Sequence, residues 1–209
     1  MIHIITAENR HLFRHALMEM HRQRKAVFVD ELGWRLNAET GIEIDAYDAE
    51  DVGYLIEADA PRAPVTGSAR LLPTARPHLL SESFADLCEE PAPRGPDVWE
   101  ATRFCPAPDT PRGAARQALL MRMIGAIMET ALLFGVEKVT FVASAALAPL
   151  GESAGWDVRA LGGSKRIGRE KVRAYLAQID AQGLKRVRDR IGASAPLTRF
   201  IPGALANAA

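Results

Sequence analysis

The sequence predicts one α/β domain: an antiparallel meander, then a helix crossover to further strands, making a mixed sheet flanked by helices. Three observations predict it. Two short apolar runs, Val52–Ala58 and Pro64–Pro73, are separated by the turn Asp59-Ala60-Pro61-Arg62, the arrangement of an antiparallel hairpin. The stretch Ala114–Phe134 repeats apolar residues at helical spacing. Strand, helix and strand patterns then alternate at the spacing of a crossover unit. A chain of 209 residues is long enough to bury a core without a disulfide or metal staple.

Taken in order, Ile2–Thr6 is short and apolar and reads as a first strand. His11 to about Asp30 reads as one helix, with Leu12, Ala16, Met20, Ala26 and Val27 at helical intervals, and Gly33 breaks it. Residues 35–50 are polar and without period. They form a long loop, and a loop of that length inside a compact domain is usually functional. In the strand Pro64–Pro73, Gly67 marks a bulge or a close backbone approach. Leu79–Leu87 is a short helix with loop character, and the Pro- and Gly-rich residues 89–96 are a turn. Asp97–Phe104 is a strand in which Val98, Glu100 and Thr102 alternate with Trp99, Ala101 and Arg103. In Ala114–Phe134, residues such as Leu120, Met123, Ile127 and Ala131 form a stripe facing a core, and Gly135 stops the helix. Lys138–Ser144 is a strand, followed by a second helix to about Ala154, the Gly155-Trp156 turn and a strand Asp157–Leu161. Val172–Ile179 fits strand or helix equally, and Leu184–Ile191 is a basic helix. The whole is the outline of acetyltransferase-like (GNAT-like) folds, over one domain 1–209 whose basic C-terminal part is 165–209. Outline alone does not fix function.

The formal net charge is zero, with 26 basic and 26 acidic side chains, but the charge is segregated. Residues 30–59 hold ten acids and one base (Arg35), a net of −9. Residues 159–199 hold eleven bases and three acids, a net of +8. Such asymmetry indicates two different jobs, the alternative being solvated faces that differ by chance. No recognition motif accompanies the basic stretch, so nucleic acid is not an expected partner. Cys88 and Cys105 are the only cysteines, too few for a disulfide framework and without a Cys-x-x-Cys pair. With no signal-peptide pattern at the start and no apolar run long enough to span a bilayer, the reading is a cytoplasmic protein with no membrane partner. His11 and His15 lack the third ligand of a zinc motif, so no metal is expected.

Three clusters are able to carry chemistry. The first is Arg24, Phe28 and Trp34, the last just past the Gly33 break. Arg24 and Phe28 are four apart and share a helix face. An arginine with two aromatics beside a long loop suits a ligand with an anionic group and a flat or cationic part; ordinary amphipathic packing is the alternative. The second is the run Glu43–Asp48, in which Asp45 and Asp48 are three apart in an irregular loop and suited to bind a metal, an amine or a sulfonium or to hold arginines, though the alternating acids and terminal Glu of a calcium loop are missing. The third is two strand arginines, Arg70 and Arg103, with Glu100 nearby. Charged residues inside apolar strands are expensive unless paired, which points to one cleft where acids and arginines satisfy each other. Glu100 and Arg103 stand an odd interval apart and face opposite ways unless a bulge intervenes.

In order and spacing these clusters resemble the acyl-homoserine-lactone synthases, the autoinducer synthases of the LuxI type. The resemblance runs through Arg24, Phe28 and Trp34; Asp45 and Asp48; Arg70 within Gly67-Ser68-Ala69-Arg70-Leu71-Leu72-Pro73-Thr74; Phe84; Glu100 and Arg103-Phe104; and the Ser153-Ala154-Gly155-Trp156 turn. It covers at least residues 1–161. Thr102 stands where many members carry Ser, and the basic part after Gly163 matches only loosely. The resemblance implies an enzyme that acylates the amine of S-adenosylmethionine from an acyl thioester, on acyl carrier protein or coenzyme A. The substrate's carboxylate then attacks its own γ-carbon, closing the lactone and expelling 5′-methylthioadenosine. S-adenosylmethionine is thus a substrate, and no cofactor is implied.

On this reading Glu100 is the general base, and Arg24, Phe28, Trp34, Asp45, Asp48, Arg70 and Arg103 form the S-adenosylmethionine cleft. The acyl tunnel is expected between sheet and long helix, lined by Met121, Ile124, Met128, Thr140, Phe141, Val142 and Leu147. Arg159, Lys165, Arg166 and Arg169 are the expected docking bases for an acidic carrier. The rival readings are an acyl-coenzyme A-dependent N-acyltransferase of the same fold, whose usual phosphate-cradling glycine run is missing, and a non-catalytic ligand-binding relative.

Overall fold

The computed structural model describes residues 1–38, 40–144, 153 and 155–203. The chain opens with β1 (Ile2–Ile5), a 3₁₀ turn (Arg10–Phe13) and α1 (Arg14–Arg24), which runs directly into a π-helical segment, Lys25–Glu31. Then come β2 (Gly53–Glu57), β3 (Gly67–Pro73), α2 (Leu79–Glu82), a 3₁₀ turn (Ala85–Leu87) and β4 (Val98–Pro106). The rest is α3 (Ala114–Leu133), β5 (Lys138–Ser144), β6 (Val158–Ile167), β7 (Glu170–Gln178), α4 (Ala181–Ile191) and β8 (Thr198–Phe200). The strands join one sheet in the order β6-β7-β5-β4-β3-β2-β1-β8. β1 to β4 form the antiparallel meander, and β4 and β5 are parallel across the α3 crossover. This is the mixed sheet that the sequence predicts.

Alternation along the meander assigns its two faces. Leu55, Ala69, Leu71 and Ala101 pack with the stripe of α3 in the larger core, together with Val187 of α4. Tyr54, Ile56 and Leu72 point the other way, onto Phe13, Ala16 and Met20 beside and along α1. Each face thus buries apolar side chains at period 2 against helices at period 3.6. Among the described residues no helix is long and apolar enough to cross a membrane.

Four elements differ from expectation. The helix expected over His11–Asp30 is three segments, and its last seven residues are π-helical, with the Leu32 amide bonded to the Val27 carbonyl at 2.9 Å. Apolar spacing over two turns cannot separate a π segment from an α-helix. The strand expected at Asp157–Leu161 runs on to Ile167. Val172–Ile179 resolves as β7, with exposed Lys171 and Arg173 alternating with buried Val172 and Ala174. It lies between β5 and β6 and is antiparallel to both, so β5 and β6 are parallel but not adjacent. Finally, Thr198–Phe200 adds an edge strand, parallel to β1. The helix expected between Ser144 and about Ala154 lies outside the described residues but for Ser153.

A parting of two strands positions the site. β4 and β5 pair only from Val98↔Lys138 to Ala101↔Phe141, although β4 continues to Pro106 and β5 to Ser144. Beyond Ala101 the strands separate, leaving a wedge whose floor is α3.

Candidate active site

Three arginines and three carboxylates close a ring on the α1 side of that wedge. Arg24 gives Nη1 and Nη2 to the two oxygens of Asp48 at 2.8 and 2.9 Å, and Nε to Glu43 Oε2 at 2.5 Å. Glu43 also accepts from Arg103 Nε and Nη2 at 3.1 and 2.9 Å. Arg103 reaches Asp45 Oδ2 at 2.8 Å, and Asp45 holds Arg70 in a fork at 2.5 and 3.0 Å. The ring closes between Arg70 and Asp48 at 2.9 Å. Signs alternate around it and sum to zero. Asp45 is the most open member, with its side chain 19% exposed, and Arg24 and Arg70 are fully buried. Tyr54 Oη donates to Asp48, and Thr102 Oγ1 accepts from Arg70 Nε. Burial opposes charge at Asp48 and Glu43, but the guanidinium of Arg24 on the first and of Arg103 on the second holds both carboxyls below their usual range. Burial likewise disfavours charge on Arg24 and Arg70, and their carboxylate partners more than offset it.

The sequence reading brings Arg24, Asp45, Asp48, Arg70 and Arg103 together correctly. It omits Glu43 from the cleft, because one acid among ten in the 30–59 stretch carries no distinguishing spacing. It assigns all five to the cleft, with Asp45 and Asp48 organising the arginines and some of these meeting the substrate; of the five, Arg103 lines the cavity. The other four stand behind Arg103 and fix it.

Arg103 reaches both ring and cavity through the bulge that the odd interval requires. Ser68 pairs with Cys105 and Arg70 with Thr102, so Ala69 faces both Arg103 and Phe104. Arg103 adopts φ = +51°, a left-handed conformation that L-residues avoid, and such strain concentrates at functional sites. Its guanidinium carbon sits 5.5 Å from the centroid of the Phe28 ring. Phe28 in turn packs on Trp34 with centroids 5.2 Å apart, and Trp34 meets Phe84 edge-on at 6.2 Å.

The wedge encloses a cavity of about 560 Å³. Phe28, Trp34, Phe84, Glu100 and Arg103 line it, together with the apolar side chains of Leu120, Ile124, Ile127, Phe141, Val142 and Trp156. Glu100 is 1% exposed. Its Oε1 accepts the Leu80 amide at 3.0 Å, and its Oε2 has no partner. Burial raises its pKa to about 7, against the pull of the Leu80 amide and of Arg70. Of the expected tunnel residues, Ile124, Phe141 and Val142 line the cavity. Met121 and Met128 do not, because α3 turns about 100° per residue and its cavity stripe is Arg116, Leu120, Ile124 and Ile127. They belong to the sheet-side core, with Met128 under α4 beside Gly183. Thr140 is also off the cavity, fully buried in register with Glu100 and Leu176, its Oγ1 donating to the Trp99 carbonyl. Leu147 lies outside the described residues. The sequence reading misses Leu120 and Ile127, although the i, i+4 stripe contains both. It also leaves Trp156 off the tunnel, although the Ser153-Ala154-Gly155-Trp156 turn is among the matched positions of the resemblance: this ring stacks on Phe141 with centroids 5.4 Å apart and planes 6° from parallel.

The four expected docking bases divide. Arg159 and Arg166 are exposed on β6. Lys165 pairs with Asp86, and Arg169 is bonded to the end of the π segment and the residue after it.

The autoinducer synthase family matches residues 8–187 of this chain. The chain belongs to the autoinducer synthase family. This synthase is 34% identical to the isovaleryl-homoserine lactone synthase of Bradyrhizobium diazoefficiens over 194 residues, 92% of this chain and 86% of that protein. It is 30% identical to an acyl-homoserine-lactone synthase of Pseudomonas aeruginosa, over 79% of this chain and 84% of the other. Among solved structures, a coenzyme A-dependent acyl-homoserine lactone synthase, BjaI, described with SAM and isopentyl-CoA, superposes with a TM-score of 0.87 at 32% identity, covering 100% of this chain and 98% of the other. An N-acetyltransferase fold from Lactobacillus plantarum superposes at 0.55 with 18% identity, covering 86% and 99%, a likeness of fold alone. The autoinducer synthase is therefore an acyltransferase-type enzyme on a GNAT-like sheet. Its carboxylate ring is saturated by guanidinium donors, and among the described residues no group of three or more His, Cys, Asp or Glu is placed to hold a metal ion.

Proposed function

We propose that this acyl-homoserine-lactone synthase acylates S-adenosylmethionine from an acyl-coenzyme A thioester and then lactonises the product. One observation carries the reading: Glu100, which lines the cavity where β4 and β5 part, keeps one buried carboxylate oxygen without a hydrogen-bond partner and has a pKa near 7. A base poised near neutrality is suited to take a proton from an attacking amine, directly or through one water. In the first step the substrate's amine nitrogen bonds to the thioester carbonyl carbon, the proton passes to Glu100 and the thiolate leaves. In the second, the substrate's carboxylate bonds to its γ-carbon and the C–S bond to methylthioadenosine breaks. Both nucleophiles belong to the substrate, so no Ser-His-Asp or Cys-His array is needed. Nor is a cofactor consumed.

The chain supplies position. Phe28 and Trp34 offer aromatic faces to the cationic, adenosyl end. Arg103, held by Glu43 and Asp45, offers a charge to the substrate's carboxylate. The apolar wall of Ile124, Phe141 and Trp156 takes the acyl chain. Inner edges of β4 and β5, unpaired with each other beyond Ala101, face the same space and are suited to bond the donor's amide and carbonyl groups. One observation favours coenzyme A as donor over acyl carrier protein: structural relatives at 32% and 30% identity are described as coenzyme A-dependent.

Incubation with S-adenosylmethionine and a set of acyl-coenzyme A thioesters is expected to yield methylthioadenosine and an N-acyl homoserine lactone by mass spectrometry. No lactone from any thioester would reject the function. Turnover with acyl-coenzyme A is expected to exceed that with carrier-bound acyl groups, and the reverse order rejects the donor. The pH profile gives an independent check. Glu100 must be ionised to act, and its raised pKa places that ionisation near 7. The substrate's α-amine must also be neutral, with an ordinary pKa of roughly 7.7–8.0. Log kcat/KM is therefore expected to rise with a limiting slope of about two at low pH and about one in Glu100→Gln. A slope of one in the wild type would remove Glu100 from the role.

A further inference from the structure

The turn between β6 and β7 touches the segment that carries Trp34. The Arg169 amide donates to the Leu32 carbonyl at 3.0 Å, and Arg169 Nη1 donates to the Glu31 carbonyl at 2.7 Å. Gly168 has φ = +55°, and a Cβ built on it would stand 2.4 Å from the Leu32 carbonyl oxygen and 3.0 Å from that of Gly33. Only glycine allows this approach. The acceptors are the last carbonyls of the π segment and of the residue after it, groups that a helix end leaves without intrahelical partners. A backbone amide and a guanidinium from residues more than 130 positions later satisfy them, with the cation at the negative end of the helix.

Beyond Leu32 the chain leads directly to the cavity. Gly33 takes φ = +71°, with Arg169 Nε 3.7 Å from its Cβ position. The Trp34 amide then folds back to the Phe28 carbonyl at 2.8 Å, and the Trp34 ring packs on the Phe28 ring, which in turn lies against the Arg103 guanidinium. Among the described residues, no other strand or helix is bonded to the main chain of residues 31–33 outside the segment itself.

We propose that the β6–β7 turn is a latch: Gly168 and Arg169 are positioning residues that cap the π segment from outside and so hold Trp34 against the site. Arg169 then serves the amine substrate's pocket rather than a docking face. The proposal rests on the assignment of that pocket to S-adenosylmethionine. Its test is therefore split into an arm that needs no ligand and one that does.

Without ligand, hydrogen exchange at the Leu32, Gly33 and Trp34 amides is compared in wild type, Arg169→Ala, Arg169→Lys and Gly168→Ala. The latch predicts exchange at these amides faster by about tenfold or more in the two Ala variants, partial recovery in Arg169→Lys, and unchanged protection in α3 and the meander. Equal protection in all four proteins overturns it. Gly168→Ala puts a methyl group into a carbonyl oxygen, and if it fails to fold the Arg169 pair carries the test. With ligand, S-adenosylmethionine affinity is measured calorimetrically in Arg169→Ala, Trp34→Ala and the double variant. Because the latch acts through Trp34, Arg169→Ala is expected to weaken binding about tenfold, and the double variant to bind no more weakly than Trp34→Ala. Additive losses overturn the proposal. Failure of the wild type to bind S-adenosylmethionine would instead overturn the assignment of the pocket, leaving the exchange result standing.

Discussion

Glu100→Gln is expected to lower the rate of amide formation by about 10²- to 10⁴-fold while leaving S-adenosylmethionine affinity within a few-fold. The substitution is nearly isosteric. Its side-chain carbonyl still accepts the Leu80 amide, which Oε1 accepts at 3.0 Å in the wild type, so the start of α2 stays in place. The unpartnered basic oxygen is what disappears. Single-turnover release of free thiol, measured beside equilibrium binding, separates the two effects; a variant with normal turnover would end the assignment. A stability difference should accompany the loss. Because burial raises the carboxyl pKa of Glu100 above its usual value, folding is favoured by the protonated form and weakened as pH rises from the usual carboxylate range toward about 7. Gln does not titrate. The thermal midpoint of Glu100→Gln relative to wild type should therefore be higher at pH 8 than at pH 5. A residue kept at a cost in stability, whose removal abolishes turnover, is what a functional group looks like in such a comparison.

Much of this arrangement is legible in the sequence, and the part that is not has identifiable causes. The hairpin, the α3 stripe and the crossover follow from local period and turn chemistry. The interleaving of β7 between β5 and β6 does not, because strand order depends on pairing over distance and Val172–Ile179 carries no mark of its neighbours. The residue types of the site are likewise readable: arginines within apolar strands need acids, and the loop of residues 35–50 offers them. Who pairs with whom is not. Glu43 is as central as Asp45, yet nothing in its spacing sets it apart. Arg103 shares the cavity with Glu100 only because a bulge and a left-handed backbone turn it there, and alternation alone points it away. Along α3 the apolar stripe is broad, and period alone does not select which of its lines faces the cavity. An error of one residue there puts Met121 in the place of Leu120.

The ring itself supports the second large effect. Asp48→Ala should destabilise the fold by about 3–5 kcal/mol, read as a fall in the urea midpoint at unchanged m. Asp48 accepts from both nitrogens of the Arg24 fork, from Tyr54 and from the Asp45 amide, and it pairs with Arg70. Its removal leaves two buried guanidiniums short of a partner and one unit of positive charge uncompensated. If the ring were a set of weak, independent contacts, the loss would be within about 1 kcal/mol, as at exposed pairs. Neutralising two neighbours together tests the same point from the other side. Asp48→Ala combined with Arg24→Met removes one charge of each sign, restores the zero sum, and should cost less than the two single changes added. Acid gives a third view, with the sign set by the depressed carboxyls of Asp48 and Glu43. Their contribution is complete above the ordinary carboxylate range, roughly pH 4, and is lost as pH falls below it. The wild type should therefore lose stability steeply on acidification, and Asp48→Ala less so. The two titrations act in opposite directions: acid removes the ring's support, while a rise toward neutrality charges Glu100 in its apolar site.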